Sequence, residues 1–164
     1  MSTLKVNKLQ NLSGGTDIDN VGKIVQAQTS IIQNQTLGSS RNVYITSTSN
    51  TYSGASISIT PKISGSTILI SFEGRLGSSY GSYINHVWQI LDNNGSALND
   101  YASSYQLYFN QRYQTGDGTG FLYQQGIDLN VTSAQTYKLY GYQANGNGIY
   151  IYEPVIAVAY EIAV

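Results

Sequence analysis

The residues from Ala55 to Leu76, ASISITPKISGSTILISFEGRL, alternate apolar and polar side chains, turn a corner, and alternate again. Ile57 and Ile59 point one way while Ser56, Ser58 and Thr60 point the other, and beyond Pro61–Ser66 the alternation resumes at Ile68, Ile70 and Phe72. A period of two marks a strand with one buried face. The β-branched Ile and Thr suit strand positions. Pro61 fixes φ and Gly65 frees it where the chain must turn. The stretch predicts a strand, turn, strand hairpin, to which the other strands are added.

The remaining chain reads the same way. Ile24, Val25 and Ala27 open a strand running towards Ile31 and Ile32, Gln33–Ser40 is a polar connection, and Asn42–Thr48 is a second strand. Tyr83–Leu91 carries apolar residues on both faces, which predicts a central or interface position. It ends in Asp92-Asn93-Asn94-Gly95-Ser96, a strong hairpin-turn signal, with Ala97 and Leu98 starting the return. One or two short strands are expected around Gln106–Tyr113 within the irregular Asp100–Gly120. Phe121–Val131 and Gln135–Gln143 read as two more strands, and Ile149–Val164 as the last ones, broken at Pro154. No helix of three turns is visible. The expectation is an all-β, antiparallel β-sandwich or jelly roll over residues 23–164, preceded by a short extended segment over residues 1–22.

Composition narrows the function. Charged residues are only 10% of the 164, against roughly 25% in ordinary soluble chains. The net charge of −1 gives no electrostatic case for nucleic acid or an anionic membrane. No segment reaches the length of a membrane span, and MSTLKVNKLQ has no signal-peptide core, so the expectation is synthesis in a cytoplasm and no membrane insertion. Zero cysteines exclude disulfides, thiolate metal sites and thiol nucleophiles.

Candidate chemistry is sparse. His86 is the only histidine and has no second His or Cys to help it hold a metal, so it reads as a packed residue. Gly116–Gly120, GDGTG, lacks the Gly-Lys-Ser/Thr ending of a phosphate loop and opens no helix. Asp92, Asn94 and Ser96 alternate like the start of a calcium loop, but the bidentate Glu is missing and the Asn-Gly turn accounts for them. The few carboxylates of the domain form no pair on one strand face, as glycoside hydrolysis would need. The chain therefore reads as a binding or structural protein without cofactor, metal or catalytic residues.

Tyrosine is the outlier, with 15 residues against 3 Phe and 1 Trp. Tyr137, Tyr140, Tyr142, Tyr150, Tyr152 and Tyr160 follow strand alternation and read as sheet or interface packing. Tyr80, Tyr101, Tyr105 and Tyr113 lie in or near expected loops, where an exposed ring can stack on a sugar and its hydroxyl can bond to a sugar hydroxyl. A tyrosine-rich subunit seam would use the same residues. The ending VIAVAYEIAV is apolar on both faces apart from Glu161, and burial between subunits of a closed oligomer is the simplest remedy.

The opening STLKVNKLQNLSGG, then KIVQAQ, SISITPKISGSTILISFEG, LDNNGS and the terminal strand, taken in that order, resemble the short tail-fibre and related fibre proteins of tailed bacteriophages, especially those of cyanobacterial hosts. The resemblance implies a homotrimeric virion protein. It implies that the N-terminal segment fixes it to other virion proteins, with Leu4, Val6 and Leu9 as anchoring residues, and that the β domain faces outward towards a host-surface glycan. Residues 80–123 carry no motif of that family. A capsid or tail decoration protein without a receptor is the alternative that the same features allow.

Overall fold

The structure, a computed structural model, describes residues 23–32, 42–78, 86–98, 118–143 and 149–163. Within them are eight strands: β1 (Ile24–Ile32), β2 (Asn42–Ile45), β3 (Thr51–Ile59), β4 (Ser66–Ser78), β5 (His86–Leu91), β6 (Gly118–Val131), β7 (Gln135–Gln143) and β8 (Ile149–Ile162). They form two antiparallel sheets. The larger has the order β1-β8-β4-β6, with β2 also paired to β8, and the smaller has the order β3-β7-β5. The chain is thus an all-β sandwich, as its alternation predicts. The expected strand around Gln106–Tyr113, the connection Gln33–Ser40 and the segment 1–22 lie outside the described residues.

The core forms between the sheets. Ile57 and Ile59 of β3 and Tyr137 and Leu139 of β7 face Ile68, Ile70 and Phe72 of β4 and Val155, Ala157 and Ala159 of β8, all buried. In the smaller sheet Trp88 lies on Gly141, its cross-strand partner. A Cβ at Gly141 would come within 2.4 Å of the indole, so the ring fits only because that residue has none.

The expected hairpin is a correction. Strands β3 and β4 lie in different sheets and do not pair: β3 bonds to β7, and β4 to β6 and β8. Each strand has one strongly apolar face, and placing the two faces opposite one another across the sandwich buries both at once. Residues 60–65 carry the chain between layers, and Gly65 takes φ +84°, which favours glycine.

Glu161 of β8 holds this crossing. Its carboxylate is fully buried and accepts hydrogen bonds from the Lys62 N–H at 2.9 Å, the Ile63 N–H at 2.8 Å, Ser66 Oγ at 2.7 Å and Gln26 Nε2 at 2.7 Å. Gln26 Nε2 also donates to the Thr60 carbonyl at 2.6 Å. Burial alone would raise the carboxyl's pKa, but the Lys62, Ile63, Ser66 and Gln26 donors outweigh it and hold the pKa below the ordinary value of 4.5. The one charge in the terminal apolar stretch is therefore a clamp on the sandwich corner.

One further reading is corrected. The chain after Ile149 forms a single strand, and Pro154 sits where its neighbour changes from β2 to β1 and where the β4 register shifts between Glu73 and Arg75. A residue that cannot donate a ladder bond is tolerated at such an irregularity. Among the described strands β5 pairs with β7 along one edge, and its other edge meets the returning Ala97 and Leu98. The Asn-Gly turn is as predicted. Asp92 Oδ1 accepts from the Asn94 N–H at 2.9 Å and the Ser96 N–H at 2.7 Å, and Gly95 has φ +79°.

The register gives the sandwich two distinct ends. Ile45, Ile149, Ser78 and Gly118 form one cross-strand row, and His86 pairs with Gln143. The described strands therefore meet residues 79–85 and 144–148, and the end of 99–117, at this end. The opposite end carries Ile24 against Ile162, the crossing 60–65 and the turn at 132–134.

Candidate functional site

The two outer faces differ in chemistry. The smaller sheet is mixed outside, with Ser56 opposite Lys138, Ser58 opposite Thr136 and the exposed Tyr52 ring against Tyr140. The larger sheet exposes more large apolar side chains outside, interspersed with the polar Thr29, Ser71 and Gln125. Its pairings set Ala27, Tyr160, Leu69 and Ile127 in one row, Thr29, Val158, Ser71 and Gln125 in the next, and Ile31, Ile156, Glu73 and Tyr123 in a third. Leu129 and Ile24 extend the face towards the N-terminal end and are 65% and 63% exposed. An antiparallel sheet facing water ordinarily alternates apolar-in with polar-out. Strand β6 departs from that rule, since Phe121, Tyr123, Ile127 and Leu129 point outward with Gln125, while Gln124 and Gly126 point inward beside the core residues Leu122 and Val131. The small Gly126 is needed beneath Leu98 and Ile90, whose atoms lie 3.0 and 3.4 Å from where its Cβ would be.

Charge enters this face only towards the end with the row of Ser78, Gly118 and Ile149. There Arg75 pairs with Phe121 on one side and Tyr152 on the other, two residues along from the exposed Glu73. The Arg75 guanidinium lies 5.3 Å from the centre of the Tyr152 ring, a cation–π distance. Tyr150 stacks behind Tyr152, with ring centres 6.4 Å apart and planes 24° apart. The open hollow lined by Glu73, Arg75, Phe121 and Tyr152 has a volume of about 250 Å³ and is also bordered by Pro154 and Ile156.

A wider groove of about 430 Å³ at the other end runs past Gln26, Ser58, Thr60, Asn93 and Thr136. Its polar groups are largely engaged with one another. Ser58 and Thr136 hydroxyls are 2.8 Å apart, and Asn93 donates to the Ala134 carbonyl and accepts from the Thr136 N–H, both at 3.2 Å. It reads as a hydrogen-bonded seam between turns. Among the described residues no three His, Cys, Asp or Glu cluster as metal ligands.

The residues singled out by sequence fall elsewhere. Leu4, Val6 and Leu9, and Tyr80, Tyr101, Tyr105 and Tyr113, all lie outside the described residues. Of the tyrosines assigned to packing, Tyr137 is in the core, where its hydroxyl donates to Asp128 Oδ2 at 2.9 Å. Burial, then this bond and the charge of Asp128, push the Tyr137 pKa upward. Tyr152 instead borders the surface hollow. Phe121, Arg75 and Glu73 were missed because their meeting depends on the register of three strands. The one local signal is the alternation of Phe121, Tyr123, Ile127 and Leu129, which points to a second apolar surface as readily as to the core.

No family model and no curated protein matches the chain. Among solved structures, latent PorU from Porphyromonas gingivalis aligns with 95% of this chain at 10% identity and TM-score 0.48, and the chain spans 14% of that protein's length. The EclA C-terminal domain, a sugar-binding protein, aligns over 93% of this chain and 99% of its own at 13% identity and TM-score 0.39. The VP2 subviral particle of infectious bursal disease virus aligns over 86% of this chain and 38% of its own at 12% identity and TM-score 0.41. At these scores none of them decides the function of this chain.

Proposed function

We propose that this chain is the subunit of a short tailed-phage fibre, a homotrimer that docks on the virion through Met1–Gly22 and binds glycans of the host surface. The observation that carries the reading is the opposition of the two ends. The chain enters β1 from the N-terminal segment at the end where Ile24 pairs with Ile162. The stretch holding Tyr80 leaves β4 at the other end, and Tyr113 precedes the start of β6 there, whereas the stretch holding Tyr101 and Tyr105 leaves Leu98 beside the Asn-Gly turn. Docking at one end and recognition at the other is what an adhesive fibre requires. The resemblance of the opening and of β1, β3 and β4 to phage fibres supports the virion setting, and the bare apolar sheet face supports assembly. Repetition within a trimer and across a particle multiplies weak individual contacts into useful avidity. Adhesion of this kind needs no catalytic group.

The test is adsorption of particles carrying Tyr101→Ser, Tyr105→Ser and Tyr113→Ser together. Adsorption is expected to fall by roughly ten-fold or more with particle yield unchanged. Normal adsorption by intact particles would replace this reading with that of a decoration protein that stabilises the virion without touching a host.

A further inference from the structure

We infer that the hollow between Glu73, Arg75, Phe121 and Tyr152 is a subsite for one neutral pyranose ring of the host glycan, an inference that rests on the adhesive reading above. Phe121 is 78% exposed on a strand whose next outward residue, Tyr123, is also aromatic. Phenylalanine has no polar group to justify such exposure, and a flat ring standing clear of the sheet matches the C–H face of a sugar. The Arg75 guanidinium lies over the Tyr152 ring, and of its five N–H groups several are available as donors to a ligand. Glu73 projects from the same sheet face and offers only acceptors. A donor and an acceptor side by side suit two adjacent hydroxyls, one accepting from Arg75 and the other donating to Glu73.

The charges decide the ligand class. Glu73 and Arg75 cancel, and a uronate or other acidic sugar placed on Arg75 would bring a second carboxylate against Glu73. The subsite therefore selects a neutral sugar. Its volume of about 250 Å³ falls below the ~300–1,000 Å³ of sites that enclose a drug-sized ligand, so it takes one ring of a longer chain.

The platform is built before the ligand arrives. Gly77 is buried beneath Tyr152, and a Cβ there would lie 2.3 Å from Cε2 and 2.6 Å from the hydroxyl oxygen of the ring. Only glycine lets Tyr152 lie in this position, between Tyr150 and the Arg75 guanidinium. Ordering that is complete in the free protein does not weaken binding.

The experiment uses the purified full chain on an array of neutral hexose oligosaccharides with galacturonate oligosaccharides as the acidic comparison, followed by affinity measurement on the strongest binder. Neutral chains are expected to bind and galacturonates not to. Phe121→Ser and Arg75→Gln should each weaken binding roughly ten-fold, with the subunit fold unchanged because both side chains are exposed. Gly77→Ala should weaken it as well, by displacing Tyr152. Preference for galacturonate, absence of any neutral binder, or neutral binding unaffected by Phe121→Ser and Arg75→Gln would each overturn the subsite. Adsorption separates this failure from that of the adhesive reading. If particles lacking the protein fail to adsorb while Phe121→Ser, Arg75→Gln particles adsorb normally, the subsite is wrong and adhesion stands. If particles lacking the protein adsorb normally, the adhesive reading and the subsite fall together.

Discussion

At the scale of single residues, Glu161 shows how one charge can serve a fold with few of them. A buried carboxylate is stabilising only when its donors exceed the loss of hydration, and here the donors come from three elements, the crossing 60–65, the start of β4 and β1. Glu161→Gln keeps the volume but turns an –NH2 towards donors that need acceptors. It is expected to destabilise the fold by about 2–4 kcal/mol, measured by denaturant midpoint. The pH dependence follows from the lowered pKa. The clamp's contribution is complete above the ordinary carboxyl value of 4.5 and is lost as pH falls through the lower pKa of the folded state. Melting temperature of the native chain should therefore fall below pH 4.5 more steeply than that of Glu161→Gln, and parallel curves would show that the carboxylate does not titrate with unfolding.

Elements were legible in the sequence where alternation was strong, and their partners were not. The period of two identified β1, β3, β4 and β7 and told which side of β4 is buried, because Ile68, Ile70 and Phe72 stand at alternate positions, whereas the end of β8 reads as apolar on both faces. It could not tell which sheet a strand joins, since a buried face is the same whether the neighbour is beside it or across the core. That is why β3 and β4 read as a hairpin. The candidate site was illegible for a related reason: residues 73–75, 121 and 152 meet only through cross-strand register. Strand β5 provides a test of how the smaller sheet is secured. Its Trp88, the only tryptophan of the chain, packs in the core on Gly141 of β7. Gly141→Ala drives a methyl group into the indole, so a loss of about 1–3 kcal/mol is expected, with a shift in the tryptophan emission of the folded state. An unchanged emission and midpoint would mean that β5 is held by its other contacts.

At the scale of the whole molecule, the larger sheet solves its own burial problem on one side only. Its inner face is covered by β3, β7 and β5, whereas its outer face presents Ile24, Leu69, Ile127, Leu129, Tyr160 and Ile162 without a charged side chain among them. Monomers rarely expose contiguous apolar patches beyond a few hundred Å². A second and third copy of the same chain, meeting on this part of the face, would cover it while leaving the Arg75 and Phe121 end open to ligand. Ile127→Lys with Leu129→Lys tests the division. Both residues are exposed, so each subunit should still fold, but lysines facing one another across a closed interface repel and lose hydration. The expected result is a shift from three subunits to one by mass measurement at micromolar concentration, with near-native circular dichroism. Single-site affinity for a neutral oligosaccharide should be unchanged, and avidity for a sugar-coated surface should drop by roughly a hundred-fold or more as three linked contacts become one. A native chain that is already monomeric, or a double-lysine variant that remains a trimer, would move the assembly surface elsewhere. Loss of single-site affinity along with the trimer would instead mean that the sugar site is completed by a neighbouring subunit.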